Sequence, residues 1–404
     1  MDTPTVILAL VVVVALSFDF TNGFHDTANA MATSIATHAL PPKAAVALSG
    51  VLNLVGAFLS VEVALTVTNA VVRIQNPDGT PRPELLEGGG SALLLIVLAG
   101  LVGAIAWNLT TWLLGLPSSS SHALFGGLIG SAAAGLGWGA VNWDGDGTKI
   151  DGVLGKVVVP ALASPVVAGL VAGIGTWMVY RVVAGVAERR TDSGFRWGQI
   201  GSASLVSLAH GTNDAQKTMG VITLGLIASG HWSSTTQIPF WVKLVCALAI
   251  ASGTYLGGWR IIRTLGKGLV EIAPPQGLVA ETASAATILT SSHLGFALST
   301  THVTTGSVLG TGVGKPGAVV RWRVAGRMLV AWVTTLPAAG LVGAATWWVA
   351  HAAGDGLLGA AVITAALLAF AVVVWLRSKR DPVHAGNVND EWQDARAGHE
   401  SVAA

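Results

Sequence analysis

The chain has 404 residues, of which 52% are hydrophobic and only 11% charged. Its mean hydropathy is +0.65, whereas a soluble globular domain carries roughly a quarter charged residues. A formal net charge of +1 gives no basic surface to follow a nucleic-acid backbone, so nucleic acid is not an expected partner, and the single cysteine, Cys246, excludes an intrachain disulfide and a thiolate metal cluster.

In chain order, apolar segments fall near 4–20, 26–40, 43–72, 91–115, 119–140, 153–183, 200–230, 238–258, 268–314, 322–351 and 355–376. A helix crosses the hydrocarbon core with about 20 apolar residues, so these segments make room for roughly ten to twelve membrane helices, some of them broken or re-entrant. The fold class expected is an all-α polytopic membrane protein. The first segment, Val6 to Phe18, follows Asp2 rather than a basic stretch and precedes no small-residue cleavage signal, which reads as a first membrane helix rather than a signal peptide. Basic residues cluster in Arg181 to Arg196, Arg260 to Lys267, Lys315 to Arg327 and Arg377 to Arg380, while the loop from Asn142 to Asp151 is acidic. The positive-inside tendency puts the basic groups in the cytoplasm and the acidic loop outside. The polar tail from Ser378 to Ala404 is then cytoplasmic, and its composition predicts poor order. Glycine is abundant, with 51 residues, and stretches such as Gly126-Gly127 and Gly306 to Gly314 lie inside apolar segments, where small residues permit close helix contact and helix breaks.

Two motifs occur twice, in the same order. "NGFHDTANAMA", Asn22 to Ala32, pairs with "HGTNDAQKTMG", His210 to Gly220, and "SSSHALFGGLIG", Ser119 to Gly130, pairs with "STTHVTTGSVLG", Ser299 to Gly310. The spacing is 188 residues from Asp26 to Asp214 and 180 from His122 to His302, so one duplication accounts for both. The chain divides into a first half, 1–183, a cytoplasmic linker, 184–197, a second half, 198–351, a terminal membrane helix, 352–377, and the tail, 378–404. Such repeats in transporters often have opposite membrane orientation, with a midplane site where the halves meet.

On a helix Asn22, Asp26 and Asn29 share one face, and the aligned positions are His210, Asp214 and Lys217. Lys217 opposite Asn29 and His25 opposite Asn213 break the symmetry. An ionisable group inside a membrane is costly unless paired or solvated, which marks it as functional; the competing reading makes Asp214 and Lys217 a structural ion pair and Asp26 a helix cap. In the second motif Ser119, Ser120, Ser121 and Ser299, Thr300, Thr301 precede His122 and His302 at expected helix starts, where hydroxyls cap N–H groups and the free N–H groups attract anions. Two such termini facing each other form a cradle of donors suited to a tetrahedral oxyanion; ordinary capping is the alternative, with both histidines as satisfied core residues. Asp26 and Asp214 repel an anion at low dielectric, so they are assigned to a coupling proton or sodium ion, with Asn22, Asn29 and Asn213 able to complete an oxygen shell. Lys217 is the one clear positive charge for the anion. Glu62 and Glu281 are further acidic groups in apolar stretches, each a cation ligand or a structural partner.

"NGFHDTANAMAT", "HGTNDAQKTMG" and the two S(S/T)(S/T)H clusters resemble the paired signatures of the inorganic phosphate transporter (PiT) family, through both halves and nearly the whole chain. The resemblance implies a secondary symporter that takes up phosphate with protons or sodium, built from two inverted repeats and often dimeric, and among bacterial relatives carrying phosphate as a neutral divalent-metal complex. It implies that Asp26, Asn29, Asn213, Asp214 and the hydroxyl clusters line the transport site, with no fixed metal site, no cofactor and a location in the inner (plasma) membrane. His25 stands where the commoner motif "GANDVANA" has Asn, and Lys217 stands where many relatives carry Asn; this pattern resembles the bacterial low-affinity type that uses protons. Some members of the family move sulfate. An intramembrane serine hydrolase, with the Ser and His residues of the second motif as nucleophile and base, is the alternative from another class, although a duplicated set is not expected of one active site.

Overall fold

The computed structural model describes residues 2–70, 87–145, 152–185, 188–234 and 236–390. Apolar runs with few charges become long helices. α1 (Thr3–Ala36) starts at Asp2, whose side chain accepts from the backbone N–H of Thr5 at 3.3 Å, with Pro4 in the first turn. It runs unbroken through the first motif, so the two apolar segments expected at 4–20 and 26–40 are one 34-residue helix, and Asp26 sits in its interior rather than capping it. The other elements of the first half are α2 (Pro42–Gly56), α3 (Glu62–Ala70), α4 (Ser91–Leu113), α5 (Ser120–Leu136) and α6 (Val159–Val182). The second half repeats the order with α7 (Glu188–Ala228), α8 (Phe240–Leu256), α9 (Trp259–Arg263), α10 (Pro274–His293), α11 (Thr300–Gly314) and α12 (Trp322–Ala353), and α13 (Leu357–Ser378) closes the bundle. Part of the expected linker, from Glu188 onward, already belongs to α7.

Among the described residues five helical stretches are long and apolar enough to cross a membrane, and a sixth counts if α8 and the segment Trp259–Gly268, bent by 60°, form one broken span. α7, 41 residues long, carries His210, Asp214 and Lys217 in its middle, and this polarity keeps it below that threshold. The short helices α5 and α11, of 17 and 15 residues, fold back on α4 and α10 as hairpins.

The two halves are interleaved and inverted. α5 packs on α12 and its counterpart α11 on α6, while α1 packs on α8 and α7 on α2. The beginning of α1 lies near the end of α7, since Gly89 approaches Pro4 and Gly90 approaches Ala228. At its other end Thr37 donates to Gln199, early in α7, at 2.8 Å. The two motif-bearing helices therefore run in opposite directions. Contacts also gather the four basic clusters on one face: Lys315 stands over Tyr180, Arg321 donates to the Lys267 carbonyl at 3.0 Å, and Arg260 donates to the Ser378 carbonyl at 3.0 Å.

One expectation fails on that face. The tail was expected to be poorly ordered from Ser378 onward, yet residues up to Asp390 fold back onto the bundle: Val388 is buried and Asn389 donates to the Ile35 carbonyl at 3.2 Å. The buried Val388 side chain and the Ile35 carbonyl, which also accepts from the His38 N–H at 3.1 Å, hold it there. The rest of the tail lies outside the described residues, as does the acidic loop beyond Gly145.

Glycine sets how closely the hairpins approach. A Cβ at Gly130 would stand 1.9 Å from the Gly340 carbonyl oxygen, and one at Gly310 would stand 2.1 Å from that of Gly169. Backbone faces backbone at both places and neither can retreat by a rotamer change. Gly130→Ala and Gly310→Ala are expected each to cost more than the ~1–3 kcal/mol typical of overpacking, read as a fall in melting temperature of the detergent-solubilised protein. Gly201→Ala, with open space around it, should leave that temperature unchanged or raise it.

Candidate functional site

The N-termini of α5 and α11 meet at the centre of the bundle. Ser119 Oγ accepts from the His122 backbone N–H at 3.1 Å and Ser299 Oγ from that of His302 at 3.2 Å, so both are N-caps. The His122 and His302 rings touch edge to face, 4.7 Å between centroids, and Ser121 Oγ reaches the Leu298 carbonyl at 3.3 Å. Capping and convergence are both present, and the two readings of the hydroxyl clusters are not exclusive. The histidines are not fully satisfied core residues, because Nε2 of each is buried without a hydrogen-bond partner among the described residues.

Each half's first motif reaches the other half's second motif. Asn29 Nδ2, on α1, donates to Thr300 Oγ1 at 3.2 Å and Thr301 Oγ1 at 3.0 Å at the head of α11. Lys217, the counterpart of Asn29 on α7, donates to Ser121 Oγ at 2.6 Å at the head of α5. The pseudo-symmetry is chemically broken here by one positive charge. Lys217 Nζ also donates to Asp214 Oδ1 and, at 3.0 Å, to the Leu298 carbonyl, so its three protons are all engaged.

The two carboxylates have unequal surroundings. Asp214 Oδ2 accepts from Thr300 Oγ1 at 2.9 Å and lies 2.9 Å from His210 Nε2. Asp26 Oδ1 is 2.6 Å from His25 Nδ1, and the far nitrogen of that ring lies 3.2 Å from Thr111 Oγ1 and 3.4 Å from Ser118 Oγ. His210 Nδ1 is tied to Asn53 Oδ1 at 3.0 Å, and Asn53 in turn donates to Thr254 Oγ1 at 2.9 Å. Asn213 donates to Ser292 Oγ at 2.9 Å. One ligand atom each from Asp26, His210 and Asp214 lie within 4.8 Å of one another, and among the described residues the side-chain oxygens of Asn22, Asn29 and Asn213 are buried without a donor. The two carboxylates and the His210 ring brought this close could hold a small cation between them. Asp26, Asp214, Lys217 and both hydroxyl clusters are at most 3% exposed, so the site is closed to both faces.

Two sequence candidates lie elsewhere. Glu62 is exposed at the start of α3. Glu281 accepts from Thr33 and Ser34 hydroxyls at 2.6 Å each, from Ser202 at 2.6 Å and from Gln199 Nε2 at 3.1 Å. It pins α1, α7 and α10 together, and none of its hydrogen-bonding partners belongs to the Asp26–Asp214 cluster. Sequence reasoning missed Thr111, Ser118, Asn53 and Thr254, which lack a distinctive pattern, and Asp19, whose charge inside "FDF" was readable but lay at the edge of an apolar segment. The serine–histidine pair of the second motif does not form: neither ring of His122 and His302 is hydrogen-bonded to a serine hydroxyl among the described residues, and His302 Nδ1 is turned to the Ala161 carbonyl. A groove of about 920 Å3 reaches both histidines from outside the bundle, but walls such as Leu162, Val166 and Leu329 are apolar and offer no path for an anion.

A family model described as the phosphate transporter family matches residues 22–343 of this chain, through both motif pairs. The chain belongs to that family. Among curated members it is 58% identical over 97% of its length to a "Probable low-affinity inorganic phosphate transporter" of Mycobacterium tuberculosis, of which it covers 89%. To the protein of the same description from Bacillus subtilis it is 41% identical over 86% of its length, covering 98% of that protein. A solved structure titled "The sodium-dependent phosphate transporter" has the same fold, with a TM-score of 0.72 and 22% identity over 86% of this chain and 99% of that one. As a member of the phosphate transporter family, this chain is a multi-pass membrane protein and a transporter rather than an enzyme.

Proposed function

We propose that the protein imports inorganic phosphate across the inner (plasma) membrane by cation symport, with a proton favoured over sodium, carrying phosphate free or as a divalent-metal complex. The observation that carries this reading is the triple engagement of Lys217 with Asp214, Ser121 and the Leu298 carbonyl. An anion that enters between the heads of α5 and α11 finds the hydroxyls of Ser120, Ser121, Thr300 and Thr301, and it competes with Asp214 for the one ammonium. If phosphate takes Lys217, Asp214 loses its counter-charge in a site of low dielectric and requires another cation, which ties anion binding to cation binding. His25 and His210 place ring nitrogens beside the two carboxylates, whereas a sodium shell asks for oxygen ligands throughout. This difference favours the proton. The basic face carries the tail and is cytoplasmic on this reading.

The experiment is uptake of labelled phosphate into proteoliposomes under an imposed pH gradient, an imposed sodium gradient, or neither, with excess sulfate as competitor. Accumulation above the phosphate gradient, driven by pH alone and insensitive to sulfate, is the expected result. Strict sodium dependence would overturn proton coupling, flux that only follows the phosphate gradient would overturn symport, and full competition by sulfate would overturn the choice of anion.

A further inference from the structure

Asp19 lies midway along α1, roughly 25 Å from either end at 1.5 Å per residue, which is the depth of the bilayer centre for a helix that crosses it. It is completely buried, and neither carboxyl oxygen has a hydrogen-bond partner among the described residues. The Thr218 hydroxyl of α7 faces it without reaching hydrogen-bond geometry. The other titratable groups within electrostatic reach are Asp214 and Lys217 of α7 and the buried thiol of Cys246 on α8. α4, which also packs on α1, has no titratable side chain, and α13 has only Arg377 in its last turn. Further along α1 itself stand His25 and Asp26, already paired with each other, and Glu281 touches only its far end at Thr33 and Ser34.

An ionised carboxylate left without a donor in an apolar interior costs several kcal/mol or more, whereas the protonated acid does not. The contrast with Glu281 is instructive, since that carboxylate is equally buried yet receives four donated hydrogen bonds. Two charges from α7 act on Asp19 in opposite senses: Asp214 disfavours its ionisation and Lys217 favours it. Phosphate seated on Lys217 cancels the favourable charge.

We propose that Asp19 is a further site for a coupled proton, beside the carboxylates Asp26 and Asp214. Phosphate bound at Lys217 strengthens proton binding at Asp19, and by reciprocity a proton on Asp19 strengthens phosphate binding, with a coupling of the size common between linked sites. The proton arrives from the external solution, rides on the carboxyl oxygen while the site is closed, and leaves to the cytoplasm after phosphate has gone. The inference rests on the proton-symport reading above and adds to it a residue that no motif marks.

The test compares wild type, Asp19→Asn and Asp19→Glu in proteoliposomes loaded with a pH-sensitive dye, with labelled phosphate exchange measured at equal pH on both sides. Asp19→Asn is expected to lose at least about tenfold in pH-driven accumulation and to move one proton fewer per phosphate, while exchange persists at a measurable rate. Asp19→Glu should restore part of the accumulation. An Asn variant that accumulates phosphate and takes up protons as wild type does would overturn the proposal. So would an Asn variant that melts like wild type but has lost exchange and accumulation together, because that pattern belongs to an anion-site residue. If wild type itself shows no pH-driven accumulation, it is the symport reading that fails.

Discussion

Replacing Lys217 with alanine is expected to raise the apparent phosphate constant by about thirtyfold or more, the equivalent of the ~2 kcal/mol or greater loss that follows truncation of one partner of a buried, hydrogen-bonded charge pair. Lys217 is 1% exposed and holds Asp214, Ser121 and the Leu298 carbonyl, so alanine removes the ammonium that an entering oxyanion would share and strands a buried carboxylate. Lys217→Ala combined with Asp214→Asn should recover melting temperature relative to Lys217→Ala alone, since no unpaired charge remains, yet it should not recover uptake. Initial rates across a range of phosphate concentrations and a thermal melt of each variant provide the check. An unchanged phosphate constant in Lys217→Ala would remove this side chain from the anion site.

Asp214→Asn and Asp26→Asn are expected both to abolish gradient-driven uptake, but with different effects on stability. Asp214 receives Lys217, the Thr300 hydroxyl and the nearby His210 ring; its neutralisation leaves the Lys217 ammonium buried among neutral acceptors with no counter-charge, a loss on the scale of ~3–5 kcal/mol when one member of a buried pair is removed. Asp26 pairs with the neighbouring His25, and an asparagine there keeps an amide oxygen within reach of that ring, at small cost. Asp26→Asn should therefore express and melt nearly as wild type does, while Asp214→Asn melts clearly lower. Normal uptake in either variant would remove that carboxylate from the coupling machinery, and equal melting of the two would contradict the unequal surroundings described here.

The types of residue at the site were legible in the sequence because hydropathy and periodicity are local. Asp26 and Asp214 stand out in apolar runs, and the recurrence of a hydroxyl cluster before His122 and His302 identifies two equivalent helix starts whatever the packing. The repeat itself was legible for the same reason, and so was the capping by Ser119 and Ser299, which involves only the next three residues. Local pattern misled where a boundary was inferred from polarity: α1 runs through the first motif because its polar face is buried against other helices, and hydropathy alone registers that as a break.

The sequence by itself determined an all-helical membrane protein with a duplicated set of carboxylates and hydroxyls. Only the tertiary structure decided which motif meets which. Lys217 and Ser121 are 96 residues apart and Asn29 and Thr301 are 272 apart, and no periodicity relates them; the inverted packing of α1 against α8 and α7 against α2 brings each motif to the other half's hairpin. The same packing distinguishes three acidic residues that look alike in an apolar stretch. Among the described residues Glu281 is satisfied by four donors, Asp214 by an ammonium and a hydroxyl, and Asp19 by none, because the cost of a buried charge depends on what the neighbouring helices place beside it rather than on its own position in the chain.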